Sequence, residues 1–279
     1  MRGEFVDVDG SRLYYYAAGS RGAGEPVVFI HGFPGSSYLW HDVVRQIAAG
    51  HRLVVLDMLG FGRSDRPPAG QPASLTVAAH SQRLGRLLDE LRIDEACLVG
   101  HALGGAVAQA VAVATPSRVT RLCLVNSSGL GEWPRNAARF ARALCVMPPV
   151  ARAAGAPFLA GLIHGSLLRG FADRERGRHA LDQFLHAFTA RQGTEVLIAQ
   201  LRALRDEGSG PSVASLGVLR CPTAILAGAN DPFLPATLPG RLRDAIAGAT
   251  LEVIPDARHF VPEDAADRVA AAVNSLLDR

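Results

Sequence analysis

Lysine is absent from this chain: all 29 basic side chains are arginine. That excludes a Schiff-base amine and the lysine of a Walker-type phosphate loop. Cysteine is scarce. Cys97, Cys123, Cys145 and Cys221 stand far apart with no C-x-x-C spacing, and two of them lie inside apolar runs. Small core residues in a reducing compartment are expected, rather than disulfides or metal ligands. An excess of one charge is missing too, since 26 acids against 29 arginines leave a formal net charge of +3. So small a charge gives no case for nucleic acid or an anionic membrane as partner. No apolar run reaches the roughly 20 residues of a membrane span. The first twenty residues carry Glu4, Asp7 and Asp9 without the apolar stretch of a signal peptide. The expectation is a cytoplasmic protein acting on a small organic molecule without metal or cofactor, with monomer and homodimer both open.

What is present is enough for one large core: 279 residues, 48% of them apolar. Short apolar runs alternate with longer helical patterns, the mark of an α/β fold with a mostly parallel sheet and helices on both faces. Phe5–Val8 and Arg12–Ala17 flank Asp9-Gly10, a strong hairpin signal, so the sheet opens with an antiparallel pair. Pro26–Ile30, Leu53–Asp57, Ala96–Val99, Arg121–Val125, Thr223–Ala227 and Thr250–Ile254 read as buried strands, which makes eight. Leu84, Leu87, Leu88 and Leu91 mark one helix face at i, i+3, i+4 and i+7.

The alternation stops between residues 127 and 220. Helix-like pieces broken by Pro148-Pro149, Gly155, Pro157 and Gly161 replace the strands, with Leu181, Phe184, Leu185 and Phe188 as one apolar stripe. The expected organisation is a core of 1–126 and 221–279, with 127–220 as a helical cap inserted between the sixth and seventh strands.

Chemistry gathers where open α/β sheets put it, at the carboxyl ends of the strands. His31-Gly32-Phe33-Pro34-Gly35 follows the third strand, and Asp57-Met58-Leu59-Gly60-Phe61-Gly62-Arg63-Ser64 follows the fourth. Gly228-Ala229-Asn230-Asp231-Pro232 follows the seventh, and Asp256-Ala257-Arg258-His259-Phe260 the eighth. After the fifth comes Gly100-His101-Ala102-Leu103-Gly104-Gly105, a G-x-S-x-G elbow in which alanine holds the nucleophile position. The glycines are required because a Cβ two residues either side of so sharp a turn would strike a neighbouring strand or helix.

In this combination and chain order the sequence resembles a capped member of the α/β-hydrolase superfamily, over essentially its whole length. The resemblance implies Asp231 as the triad acid, His259 as the base, and the backbone N–H groups of Phe33 and Leu103 as the oxyanion hole. His31 is expected to order the oxyanion loop without reacting, and it stands with Trp133, Phe140, Phe184, Phe188 and Phe260 among the substrate-side residues. His101 is expected to pack locally, and Asp57 and Arg63 to pin loops. Asn126 occupies a place where some relatives carry an alternative acid, a role an amide cannot fill.

Ala102 has neither a proton to lose nor a lone pair to attack with. The leading expectation is a hydrolase for an ester, lactone, thioester or C–C bond beside a carbonyl, with serine replaced by alanine as an engineered inactive variant would have it. The rival is a natural serine-less enzyme using the His259–Asp231 pair as general base, as a lyase, isomerase, cyclase or cofactor-free oxygenase. A non-catalytic ligand-binding protein is the third reading. Dehalogenation and epoxide opening by this family's route need a carboxylate at position 102 and are set aside.

Overall fold

The computed structural model describes residues 2–19, 24–67, 71–132, 148–189, 193–206 and 210–279. Eight strands form one sheet in the order β1-β2-β4-β3-β5-β6-β7-β8. They are β1 (Arg2–Val8), β2 (Ser11–Gly19), β3 (Val27–Ile30) and β4 (Arg52–Leu56). The remainder are β5 (Ala96–His101), β6 (Val119–Val125), β7 (Thr223–Gly228) and β8 (Thr250–Ile254). β2 runs antiparallel to β1 and to β4, and the other neighbours are parallel. At the first hairpin Asp9 and Gly10 have φ of 56° and 74°. Left-handed backbone at both central residues is what matches a two-residue turn to the twist of its strands.

The middle strands are buried on both faces, so their sequences are continuous apolar runs rather than alternating ones. All four residues of β3 and all six of β5 are buried. The helix α1 (Val77–Glu90) starts where the Thr76 side chain accepts from Ala79 N at 3.2 Å, and it buries Leu84, Leu87 and Leu88. It packs on α2 (Leu103–Ala114), whose small side chains let it lie close against β5 and β6.

Between β6 and β7 the described residues form helices and no strand. These are α3 (Pro148–Leu167), α4 (Arg174–Thr189), α5 (Gly193–Asp206) and the single turn α6 (Val213–Leu216). α4 buries Leu181, Phe184, Leu185 and Phe188, the stripe read from the sequence. The helices are tied to loops at the carboxyl ends of the strands. Gln200 Nε2 donates to Gly60 O at 2.8 Å, Phe260 N to Gly170 O at 3.0 Å and Ala172 N to Asp264 Oδ1 at 2.9 Å. Arg66 also donates to Ala187 O. After β7 come α7 (Leu238–Ala245), the turn α8 (Val261–Asp264) and α9 (Ala266–Leu277), which packs on β6 and β7.

Candidate active site

β5 runs into Ala102 and α2 begins at Leu103, so the chain reverses over one residue. Ala102 takes φ 48° and ψ −114° to do it. A non-glycine residue held there costs on the order of 1–3 kcal/mol and survives only where its surroundings leave no alternative. Those surroundings are close. A Cβ on Gly100 would lie 2.5 Å from Gly104 O, and one on Gly104 would lie 2.2 Å from Ile30 O. A Cβ on Gly32 would lie 2.7 Å from the Ala102 Cβ itself. The main chain of Ala102 is fixed as well: its N–H donates to Val125 O at 3.3 Å, and its carbonyl accepts from Gly105 N at 3.0 Å and Ser128 N at 3.1 Å.

The loop after β3, expected to carry an oxyanion donor, lies beside this turn. Among the described residues the N–H groups of Phe33 and Leu103 donate no hydrogen bond. Leu103 opens α2, where unsatisfied N–H groups and the helix dipole favour negative charge. His31 holds the loop: its Nδ1–H donates to Gly32 O at 2.9 Å and its Nε2 accepts from Met58 N at 3.1 Å. Both ring nitrogens are thus taken by backbone and the side chain is fully buried. His31 therefore ties the loop after β3 to the loop after β4 through both ring nitrogens, as expected of a residue that orders this loop. Burial lowers its pKa and the Asp57 charge opposes the shift. Asp57 in turn accepts from Ser37 N at 2.6 Å and Arg63 N at 2.8 Å, pinning two loops at once.

His259 Nδ1 lies 2.8 Å from Asp231 Oδ2. The other carboxylate oxygen accepts from Phe233 N at 2.7 Å and Leu234 N at 3.2 Å. Burial alone would raise the Asp231 pKa, but the facing imidazole and these hydrogen bonds outweigh it and lower the pKa overall. An ionised carboxylate only accepts, so Nδ1 carries the proton and Nε2 presents its lone pair. Among the described residues Nε2 makes no hydrogen bond.

Aromatic rings join the helices after β6 to this centre. Phe33 stands 6.4 Å from Phe61 and 6.4 Å from Phe188, and Phe61 stands 6.3 Å from Phe188. Phe260 stacks on Phe171 at 4.2 Å and meets Phe184 at 5.9 Å. Trp133 and Phe140, expected on the substrate side, lie outside the described residues. Arg176, on α4, bridges Asp42 and Glu263, at 2.5 and 3.0 Å. Periodicity gave no signal for that pairing, which joins residues far apart in sequence. Among the described residues no three His, Cys, Asp or Glu side chains are grouped to hold a metal, and no helix is long and apolar enough to cross a membrane.

Comparison with known proteins shows the family. Residues 25–266 match the family described as alpha/beta hydrolase fold. A putative carbamate hydrolase RutD of Variovorax paradoxus is 30% identical over 85% of this chain and 85% of its own. A 2-hydroxymuconate semialdehyde hydrolase of a Pseudomonas strain is 31% identical over 92% of this chain and 88% of its own. The crystal structure of an enol-lactonase from Burkholderia xenovorans superimposes with a TM-score of 0.82 at 22% identity, covering 99% of this chain and 100% of that one.

Proposed function

The chain belongs to the α/β-hydrolase fold family, and we propose that it hydrolyses an activated carbonyl-type centre in a small apolar organic compound without a covalent step at position 102. His259 is the general base, Asp231 fixes its tautomer, and the N–H groups of Phe33 and Leu103 receive the negative charge. The observation that carries this reading is the His259 ring: Nδ1 is held at 2.8 Å by a buried carboxylate, while among the described residues Nε2 makes no hydrogen bond, and the His259 carbonyl is met at 3.0 Å by His101, the residue before Ala102.

The chemistry follows from those groups. Water bound at Nε2 attacks the carbonyl carbon as its proton passes to His259. The carbonyl oxygen takes the electron pair and is met by the two N–H groups, and the imidazolium then gives its proton to the leaving group. General base catalysis supplies about 10²–10⁴ in rate and a single oxyanion donor about 10²–10³. Without a nucleophilic serine, whose loss in a protease costs about a millionfold, that is sufficient for an activated centre and too little for an ordinary amide. Carbamates with a good leaving group, enol esters, lactones, thioesters and C–C bonds beside a carbonyl are the fitting classes, in keeping with the activities named for the two relatives. The same base can instead take a proton from substrate carbon, the step of a lyase or isomerase. The helices between β6 and β7 act as a cap, with Phe33, Phe184 and Phe188 on the apolar side of the site.

A second reading rests on the backbone of Ala102. Its φ of 48° is the strained geometry that projects a nucleophile, kept here around a methyl group. On that reading the chain is a serine hydrolase with its serine replaced, and Ala102→Ser restores the esterase. The two readings part on the unsubstituted chain. It is assayed against activated aryl carbamates, aryl esters and enol lactones beside His259→Ala. The first reading expects turnover that His259→Ala lowers at least about a hundredfold. No turnover in the unsubstituted chain, with esterase activity in Ala102→Ser, selects the second. Turnover that survives His259→Ala contradicts both.

A further inference from the structure

The last residue of β6 and those just beyond it touch both halves of the site. Val125 O accepts from Ala102 N at 3.3 Å, and Ser128 N donates to Ala102 O at 3.1 Å. Between them, Asn126 turns its amide toward the base. Its Nδ2 donates to His259 O at 2.8 Å and to Arg258 O at 2.7 Å, while its Oδ1 accepts from Gly228 N at 2.9 Å. One backbone donor and two carbonyl acceptors fix which way the amide faces. The Asn126 backbone has φ 38°, a left-handed conformation that asparagine tolerates better than most residues.

The His259 carbonyl has a second donor in His101 Nε2–H, 3.0 Å away. His101 is fully buried, and its ring lies 5.0 Å from that of His259. A carbonyl only accepts, so the proton is on Nε2, and among the described residues Nδ1 has no partner. Burial, with the neighbouring His259 adding to it, drives the His101 pKa down to about 3 and keeps the ring neutral. One carbonyl therefore takes two buried side-chain donors, one from the elbow strand and one from the end of β6.

We infer that segment 125–128 is the fixture that sets the distance between position 102 and His259, and that Asn126 and His101 are positioning residues for the base, acting through its main-chain carbonyl. The inference rests on the dyad reading above, and it assigns Asn126 a task in place of the acid that this strand end does not supply. An apolar or ionised acidic side chain at 126 would leave the Arg258 carbonyl without this donor and the His259 carbonyl with only His101, a costly loss in the protein interior. The loop carrying the imidazole would then relax away from Asp231.

The test reads the base itself, without needing a substrate. In the full chain, proton NMR records the Nδ1–H shared by His259 and Asp231 as a far-downfield resonance, and isotope-labelled histidine gives the His259 titration midpoint. Asn126→Asp and His101→Leu are expected to weaken or displace that resonance and to move the midpoint by about half a pH unit or more. His101→Gln, whose amide reaches the same carbonyl, is expected to return both toward the starting values. If Asn126→Asp does not fold, the contrast between His101→Leu and His101→Gln decides the matter. A downfield resonance and midpoint that the folded variants leave unchanged overturn the inference alone. Absence of the resonance in the unsubstituted chain overturns the dyad reading and the inference together.

Discussion

Arg176, on the helix α4, places its Nε 3.0 Å from Oε2 of Glu263, four residues beyond His259. The same guanidinium reaches Asp42 Oδ2 at 2.5 Å, so one side chain joins the inserted helices to a loop and to the turn α8 of the core. Burial pushes the Glu263 carboxyl up from 4.5 to about 7; Arg176 opposes the shift, and Asp42 and Asp264 add to it.

The pH dependence of stability follows in sign. A carboxyl that binds its proton more tightly folded than unfolded stabilises the fold fully below the unfolded pKa, and that contribution is lost as pH rises through the folded one. From about pH 4.5 to about pH 7 this residue therefore makes stability fall with rising pH. Glu263→Gln should flatten the dependence in that window. Melting temperatures taken from pH 5 to pH 8.5 check it, and equal slopes in the two proteins would refute it.

The elbow predicts opposite outcomes for neighbouring substitutions. Gly104→Ala puts a methyl 2.2 Å from the Ile30 carbonyl oxygen, which belongs to β3 and cannot yield. A cost of about 3 kcal/mol is expected. Ala102→Gly releases a residue held at φ 48° and should gain about 1 kcal/mol or cost nothing. Urea denaturation measures both, and a Gly104→Ala protein as stable as its parent would mean that the turn is looser than described.

Phe188 and Phe158 separate packing from exposure within the inserted helices. Phe188 is buried against Phe33 and Phe61, so Phe188→Ala should cost about 3–5 kcal/mol. Phe158 is 58% exposed, and Phe158→Ala should lie within about 0.5 kcal/mol of neutral. Similar losses at the two positions would show that Phe188 does not anchor α4 to the oxyanion loop.

Much of this was legible in the residues. All eight strands lie where apolar runs predict them, and the middle ones, buried on both faces, leave a continuous signature. Their ends are less legible: β2 runs from Ser11 to Gly19 and β1 begins at Arg2, since ladder hydrogen bonds continue past the apolar residues. Asp231 and His259 could be placed because each follows a recognisable strand, and they do meet. The sequence marks Asn126 only as an amide where an acid could stand, because its hold on the His259 carbonyl joins residues 133 positions apart. Arg176 and Glu263 gave no signal at all, because 87 residues and a change of structural layer separate them.

The most direct measurement restores one hydroxyl. If the base, the oxyanion donors and position 102 converge, Ala102→Ser presents its Oγ to His259 Nε2, and a serine-directed aryl phosphonate should label the variant stoichiometrically at residue 102. Adding His259→Ala should abolish the labelling, and the unsubstituted chain should show none. An Ala102→Ser protein that melts like its parent and stays unlabelled would contradict the account, because the base would then not be aimed at the elbow.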